Sequence, residues 1–190
     1  MAEDDDAALM SRVARGDRLS FSVLFDRHWP RVVRFCRRFT GSEALAEEAA
    51  QEVFVKLYRT AGRYRPTAKF TTFLFRVATN HCLNELRRGA SAPQESFEAG
   101  RHDTAPAAER ADAPLEAAEL QAAVARALTG MSDRERAAFS LCRFEGLAYA
   151  DIAHALEASE AAVKSLIHRA TLQVLHEVQA LAAPPLKELA

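Results

Sequence analysis

YADIAHALEASEAAVKSLIHRA, residues Tyr149 to Ala170, reads as two helices around a tight turn. Ile152, Ala153 and Leu156 in the first half, and Val163 and Ile167 in the second, recur at helical spacing, so one side of each helix is apolar. The first helix is predicted from about Tyr149 to Leu156. Glu157 and Ala158 make the turn, and Ser159 is a ready N-cap for a long helix from Glu160 to about Leu181. A short and a long helix joined this closely form the helix-turn-helix pattern. Ala153 falls where the two helices cross, and only a small side chain lets them approach there. Ala161, Ala162, Lys164, Ser165, His168 and Arg169 are left pointing outward. Short and polar side chains on the N-terminal half of the second helix suit base edges in a DNA major groove. Plain helical hairpins share the pattern. Glu157 also stands where Gly is frequent, which predicts an unfavourable backbone region at a residue carrying a Cβ.

Upstream, Ser132 precedes Glu135 at capping-box spacing, predicting a helix that runs to about Phe144 and stops at Gly146. LEAAELQAAVARAL, from Leu115, predicts another helix with Leu115, Leu120, Val124 and Leu128 on its buried side. Before it, the run from Gly89 to Pro114 holds Pro93, Pro106 and Pro114, is net acidic and is poor in apolar residues, as linkers are. The chain therefore divides into a first domain over 1–89, a linker over 90–114, a second domain over 115–183 and a tail over 184–190. The second domain is slightly acidic, which predicts weak non-specific DNA affinity.

The first domain is built towards RYRPTAKFTTFLFRVATNHCLNELRR, Arg63 to Arg88. Six of these residues are Arg or Lys (Arg63, Arg65, Lys69, Arg76, Arg87, Arg88), opposed only by Glu85. Cations interleaved with Phe70, Phe73 and Phe75 suit phosphates and unpaired bases, but they equally suit a core helix with solvated charges. Thr72, Arg76 and Asn80 share a face at four-residue steps, and Lys69, Phe70 and Thr71 lie at the loop end. Of Phe73 and Phe75, spaced by two, neither is assigned to the core, which is expected to be taken mostly by Leu74, Val77 and Ala78. The preceding run, SEALAEEAAQEVFVKLYRT from Ser42, predicts a helix capped by Ser42. Leu45, Ala46, Ala49, Ala50, Val53, Phe54 and Leu57 face inward, and Glu47, Glu48, Gln51, Glu52, Lys56 and Arg59 face outward. That acidic face is either solvated or docks a protein. Two earlier helices are predicted, from about Asp6 to Arg15 and from about Leu19 to Phe39, with Pro30 expected to kink the second or start a new segment. Arg27, Arg31, Arg34 and Arg38 share one basic face of it.

Abundant Ala with only 7 Gly and 7 Pro favours an all-α fold. The formal net charge of −1 points to no partner, but the segregation of basic and acidic stretches fits a chain that meets a polyanion and another surface. Three scattered cysteines predict neither a disulfide framework nor a zinc site. The six histidines do not fall at ligand spacing, and no catalytic motif appears, so no catalytic residue, metal site or cofactor is expected. The acidic start is no signal peptide and no run is long enough to span a bilayer, so a soluble, cytoplasmic chain without a membrane partner is expected.

Together the two halves resemble the extracytoplasmic-function (ECF) sigma factors, which direct bacterial RNA polymerase to promoters. GDRLSFSVLFDRHWPRVVRF is similar to the family's opening helix pair. AEEAAQEVF resembles its polymerase-docking helix, with Glu48 where Asp is commoner. KFTTFLFRVATNHCLNELRR resembles the segment that opens and reads the −10 element. LTGMSDRERAAFSLCRFEGLAYADIAHALEASEAAVKSLIHRA resembles the −35-binding domain, with Leu166, and Thr171 after Ala170, where Arg is frequent. Those departures bear on the number of phosphate contacts. The resemblance implies −10 contacts from Arg63, Arg65, Lys69, Phe70, Thr71, Thr72, Arg76 and Asn80; by their own chemistry Lys69, Phe70 and Thr71, at the loop end, suit holding a flipped base. It implies −35 contacts from Lys164, Ser165, His168 and Arg169, and docking through Glu48, Gln51 and Glu52. The implied partners are core RNA polymerase (the clamp of its largest subunit, and its flap), promoter DNA and, as is frequent in the family, an anti-sigma protein. The acidic linker is expected either to enter the polymerase channel near RNA exit or to be an inert tether. The family's added C-terminal domains are not expected. The competing expectation is a free-standing helix-turn-helix regulator with an N-terminal dimerisation domain.

Overall fold

A computed structural model describes residues 2–65, 69–91 and 115–182; most of the expected linker and the tail lie outside these. Among the described residues every regular element is helical: α1 (Ala2–Val13), α2 (Arg18–Thr40), α3 (Glu43–Arg59), a single 3₁₀ turn (Ala61–Arg63), α4 (Phe70–Ser91), α5 (Leu115–Gly130), α6 (Asp133–Arg143), α7 (Tyr149–Ala155) and α8 (Glu160–Ala182). α1 starts earlier than periodicity predicts. Asp6 explains part of this, because its buried carboxylate pairs with Arg27 and accepts from His28 Nε2 (2.8 Å), tying α1 to α2.

α2 runs through Pro30 as one helix, so no new segment starts there. Pro30 deprives the Asp26 carbonyl of its intrahelical donor. Both residues lie on the exposed side, where water can take that donor's place. Asp17 caps α2 by accepting from the backbone N–H of Leu19 (3.0 Å) and Ser20 (3.2 Å), and Gly41, at φ 68°, ends it in the left-handed region. Ser42 stands at the N-cap of α3 but its side chain makes no cap bond; Thr40 Oγ1 instead donates to the Ser42 carbonyl (3.0 Å).

α4 is the centre of the molecule and touches α1, α2, α3, α6 and α7. Phe70, Phe73, Leu74, Phe75 and Ala78 are all buried, so both aromatics of uncertain assignment belong to the core, while Val77 is only half-buried. Their divergent directions are satisfied separately: Phe73 meets Tyr64 (ring centroids 5.2 Å) and Phe75 meets Phe35 (5.3 Å). Every residue over 70–75 is buried, so the start of α4 is covered on all its sides. Two inward assignments fail. Among the described residues, Leu45 is 52% exposed and Leu120 46%.

In the second half α5 packs on α8, and α6, α7 and α8 pack on one another. Ser132 and Glu135 form the predicted capping box: Ser132 N donates to Glu135 Oε2 (3.1 Å), and Glu135 N to Ser132 Oγ (3.4 Å). The two halves also join. One continuous apolar cluster contains Phe35 and Phe75 from the first and Leu141, Leu147 and Ile152 from the second.

Candidate nucleic-acid interface

The helix-turn-helix forms as its pattern predicts. Ile152, Ala153, Leu156, Val163 and Ile167 are buried, and Ala161, Ala162, Lys164, Ser165, His168 and Arg169 are exposed. Glu157 adopts φ 49°, and the Ala158 N–H donates to the Ala153 carbonyl (3.0 Å), closing α7 with a left-handed residue in the position that usually favours Gly. Arg134 Nη2 donates to the Leu156 carbonyl (2.9 Å) and braces the turn. Ser159 Oγ accepts from the Ala162 N–H (3.2 Å), fixing the start of α8.

The outward side chains of α8 are not equivalent. Lys164 and His168 are exposed, and Ser165 Oγ donates back to the Ala161 carbonyl (3.1 Å), keeping its lone pairs as acceptors. Arg169 is committed to an ion pair with Glu135 (2.6 Å). The Ser132 hydroxyl first, then Arg169, hold the Glu135 carboxyl below the usual carboxylate range. Leu166, where the sequence departs from the family's pattern, is buried.

On α4 and in the turn before it the structure divides the predicted residues. Arg63, Arg65, Lys69 and Asn80 are exposed and Arg76 is half-buried. Arg65 Nη1 donates to the Gly62 and Tyr64 carbonyls (both 3.1 Å). Phe70, Thr71 and Thr72 are buried, Phe70 being only 1% exposed with its ring against His28 (5.2 Å) and Tyr64 (6.3 Å). Of the three residues expected to hold a flipped base, Phe70 and Thr71 are thus buried in the free chain and Lys69 is exposed. Arg63, Phe73, Arg76 and Asn80 line one wall of a cleft whose other wall is His154, Glu157 and Ser159, so the row on α4 faces the helix-turn-helix. Arg76 Nη1 lies 2.6 Å from His154 Nε2.

Glu48, Gln51 and Glu52 are all exposed on α3, but they border two grooves. Glu48 and Glu52 line one with Leu45, His81 and Leu86, whereas Gln51 lines another with Phe21, Phe25, Val55 and Tyr58. Sequence periodicity missed this apolar rim by assigning Leu45 inward. Lys56 Nζ donates to His81 Nδ1 (2.6 Å), and burial first, then the Lys56 cation, push the His81 ring down from its ordinary pKa. Among the described residues, no three His, Cys, Asp or Glu side chains gather as metal ligands, and no helix is long and apolar enough to cross a membrane.

A helix-turn-helix with an open recognition face, packed beside a helical unit carrying a row of cations, is the architecture of a two-part DNA-binding protein. Residues 24–92 match Sigma-70 region 2 and residues 121–173 match Sigma-70, region 4. The chain is 31% identical over 181 residues to the RNA polymerase sigma-H factor of Pseudomonas aeruginosa, covering 90% of this chain and 92% of that one. It is 34% identical over 168 residues to the ECF RNA polymerase sigma factor SigM of Mycobacterium tuberculosis, covering 88% and 82%. CnrH, solved in complex with the cytosolic domain of CnrY, shares the fold with a TM-score of 0.69 at 24% identity, over 93% of this chain and 99% of that one. The sigma factor RpoE of Bartonella quintana, solved with the anti-sigma factor NepR, does so at 0.64 and 17% identity, over 84% and 96%. The chain belongs to the ECF RNA polymerase sigma factors. Its function is that of a sigma factor in transcription initiation.

Proposed function

We propose that residues 1–89 dock on core polymerase and read the −10 element, and that residues 115–183 bind the −35 element. Arg63, Arg65, Lys69, Arg76 and Asn80 make the −10 contacts, with Phe70, Thr71 and Thr72 holding the shape of α4 from within. Lys164, Ser165 and His168 meet the −35 groove, and Arg169 supports α8 through Glu135 as well as approaching phosphate. Glu48, Gln51 and Glu52 dock on the clamp of the polymerase largest subunit, aided by the apolar rim at Leu45. The linker over 90–114 joins the two contacts, and an anti-sigma protein is a further partner. This role asks for no catalytic group, and it is exercised in the cytoplasm, where the polymerase is.

The observation that carries this reading is the N-terminal half of α8. Its inner side is sealed by Val163 and Ile167 while Lys164, Ser165 and His168 stand open to a groove. Support for the α4 assignment comes from Asn80, exposed on the same cleft wall as Arg63 and Arg76. The test is run-off transcription with core polymerase on a library of promoters. Arg76→Ala and Asn80→Ala should each cut transcription roughly 10-fold or more at the selected promoter, with −35 binding retained, as the loss of one base-contacting pair implies. Unchanged transcription from both variants would remove α4 from promoter reading. Specific binding by the free chain equal to that with polymerase would remove the division of labour altogether.

A further inference from the structure

The basic face of α2 that the sequence left without a partner has one in the fold. Glu145 leaves the end of α6 with its side chain only 4% exposed, although it is a carboxylate on a turn. Arg31 donates to its Oε2 from Nε (3.3 Å) and Nη2 (3.2 Å), and Arg38 donates to its Oε1 from Nη1 (3.1 Å). The Arg38 guanidinium also lies 3.9 Å from the ring centroid of Phe144, and Arg136 approaches Phe39 at 5.8 Å from the opposite side. The turn that aims Glu145 is itself fixed. Glu145 N donates to the Ser140 carbonyl (3.2 Å), Leu147 N to the Leu141 carbonyl (3.0 Å), and Gly146 takes φ 69°. A carboxylate so far from water persists only when its acceptor sites are filled, and here two arginines from the other half of the chain fill them.

The same docking brings α7 over α4. Arg76 meets His154, and Asn80 shares a cleft with Glu157. The residues read above as the −10 row are thus faced by the domain read as the −35 binder, within a single shared core.

We propose that this chain carries its own closed state, latched by Glu145 on Arg31 and Arg38, in which the helix-turn-helix domain covers the reading row of α4 and lowers the fraction of chain competent to engage polymerase and promoter. The covering function rests on the −10 assignment of α4 made above; the latch does not. When the halves part, Arg76 and Asn80 are released together and the two DNA-binding surfaces become free to separate along a promoter. Polymerase and DNA bind only the opened chain, so the closed population weakens apparent affinity in proportion to its share.

The test uses the full chain. Small-angle scattering of the free wild-type protein should fit the closed arrangement. Glu145→Lys sets a cation against two others and should enlarge the radius of gyration, as should Arg38→Glu from the opposite side. The pair Glu145→Lys with Arg38→Glu restores one charge match and should recover part of the compaction, which a merely misfolded variant would not do. Binding to core polymerase should tighten roughly 10-fold for Glu145→Lys if closure is favoured about ten to one. A wild-type profile already extended, or one unmoved by both single variants, overturns the latch. Opening without tighter polymerase binding overturns its inhibitory role. If the latch behaves as stated but Arg76→Ala and Asn80→Ala leave transcription unchanged, the −10 assignment fails and the latch stands.

Discussion

Phe70 shows how a side chain of the right chemistry can be unavailable for it. Its ring lies between His28 and Tyr64 and stays in the core. Phe70→Ala should therefore lower unfolding free energy by about 3–5 kcal/mol in urea titration, the cost of emptying an aromatic site. Unchanged stability with a selective loss of promoter opening would return Phe70 to the DNA. His28 and His81 set a pH dependence. Burial is the main cause that pushes each ring below its ordinary value of 6.5, in His28 against the pull of Asp6 and in His81 with the help of Lys56. Near neutrality the folded chain keeps both rings neutral. The unfolded chain takes up protons as pH falls through 6.5, so their contribution is present above that pH and is lost progressively below it. The urea midpoint should fall between about pH 7.5 and 5.5, and His81→Gln should flatten that slope. A midpoint that rises on acidification would contradict the assignment. The direction of burial at Phe70 was not readable from spacing, since cations and aromatics alternate there in a manner that serves either a core or a strand.

Among the elements, α8 gives the clearest division between what is local and what is not. Its start, its inner side and the capping box of α6 were all legible, because each is set by residues within a few positions of one another. The burden on Arg169 was not, since Glu135 lies 34 residues away. The two exposed cations of α8 should consequently behave differently. Lys164→Ala should weaken promoter binding by the polymerase complex across sequences and reduce the salt slope by about one, without moving the unfolding midpoint. Arg169→Ala should also lower that midpoint, because it deprives the buried side of the capping box of its cation. Equal stability of the two variants would refute the structural role. α4 shows the opposite case. Its Phe-rich run has no single apolar stripe, and the reason becomes visible only when neighbours arrive on both sides.

For the whole molecule, the two helical units and the helix-turn-helix were legible from composition and period, while their union was not. Glu145 and Arg38 are 107 residues apart, and nothing in the local pattern of either links them. Arg27, Arg31, Arg34 and Arg38 read as one basic face, solvated or meeting phosphate or acidic protein, whereas two of them are held by one carboxylate of the same chain. The seclusion of that carboxylate matters for ionic strength. Counterions screen exposed charges within about 10 Å at 0.1 M salt, but they reach a carboxylate covered on both oxygens far less well. Contacts between Lys164 and phosphate, in contrast, draw their strength from released counterions and fade steeply as salt rises. A cell that concentrates its salts would therefore leave closure of the free chain nearly intact while loosening the grip on promoters, so osmotic conditions act on the later of the two steps.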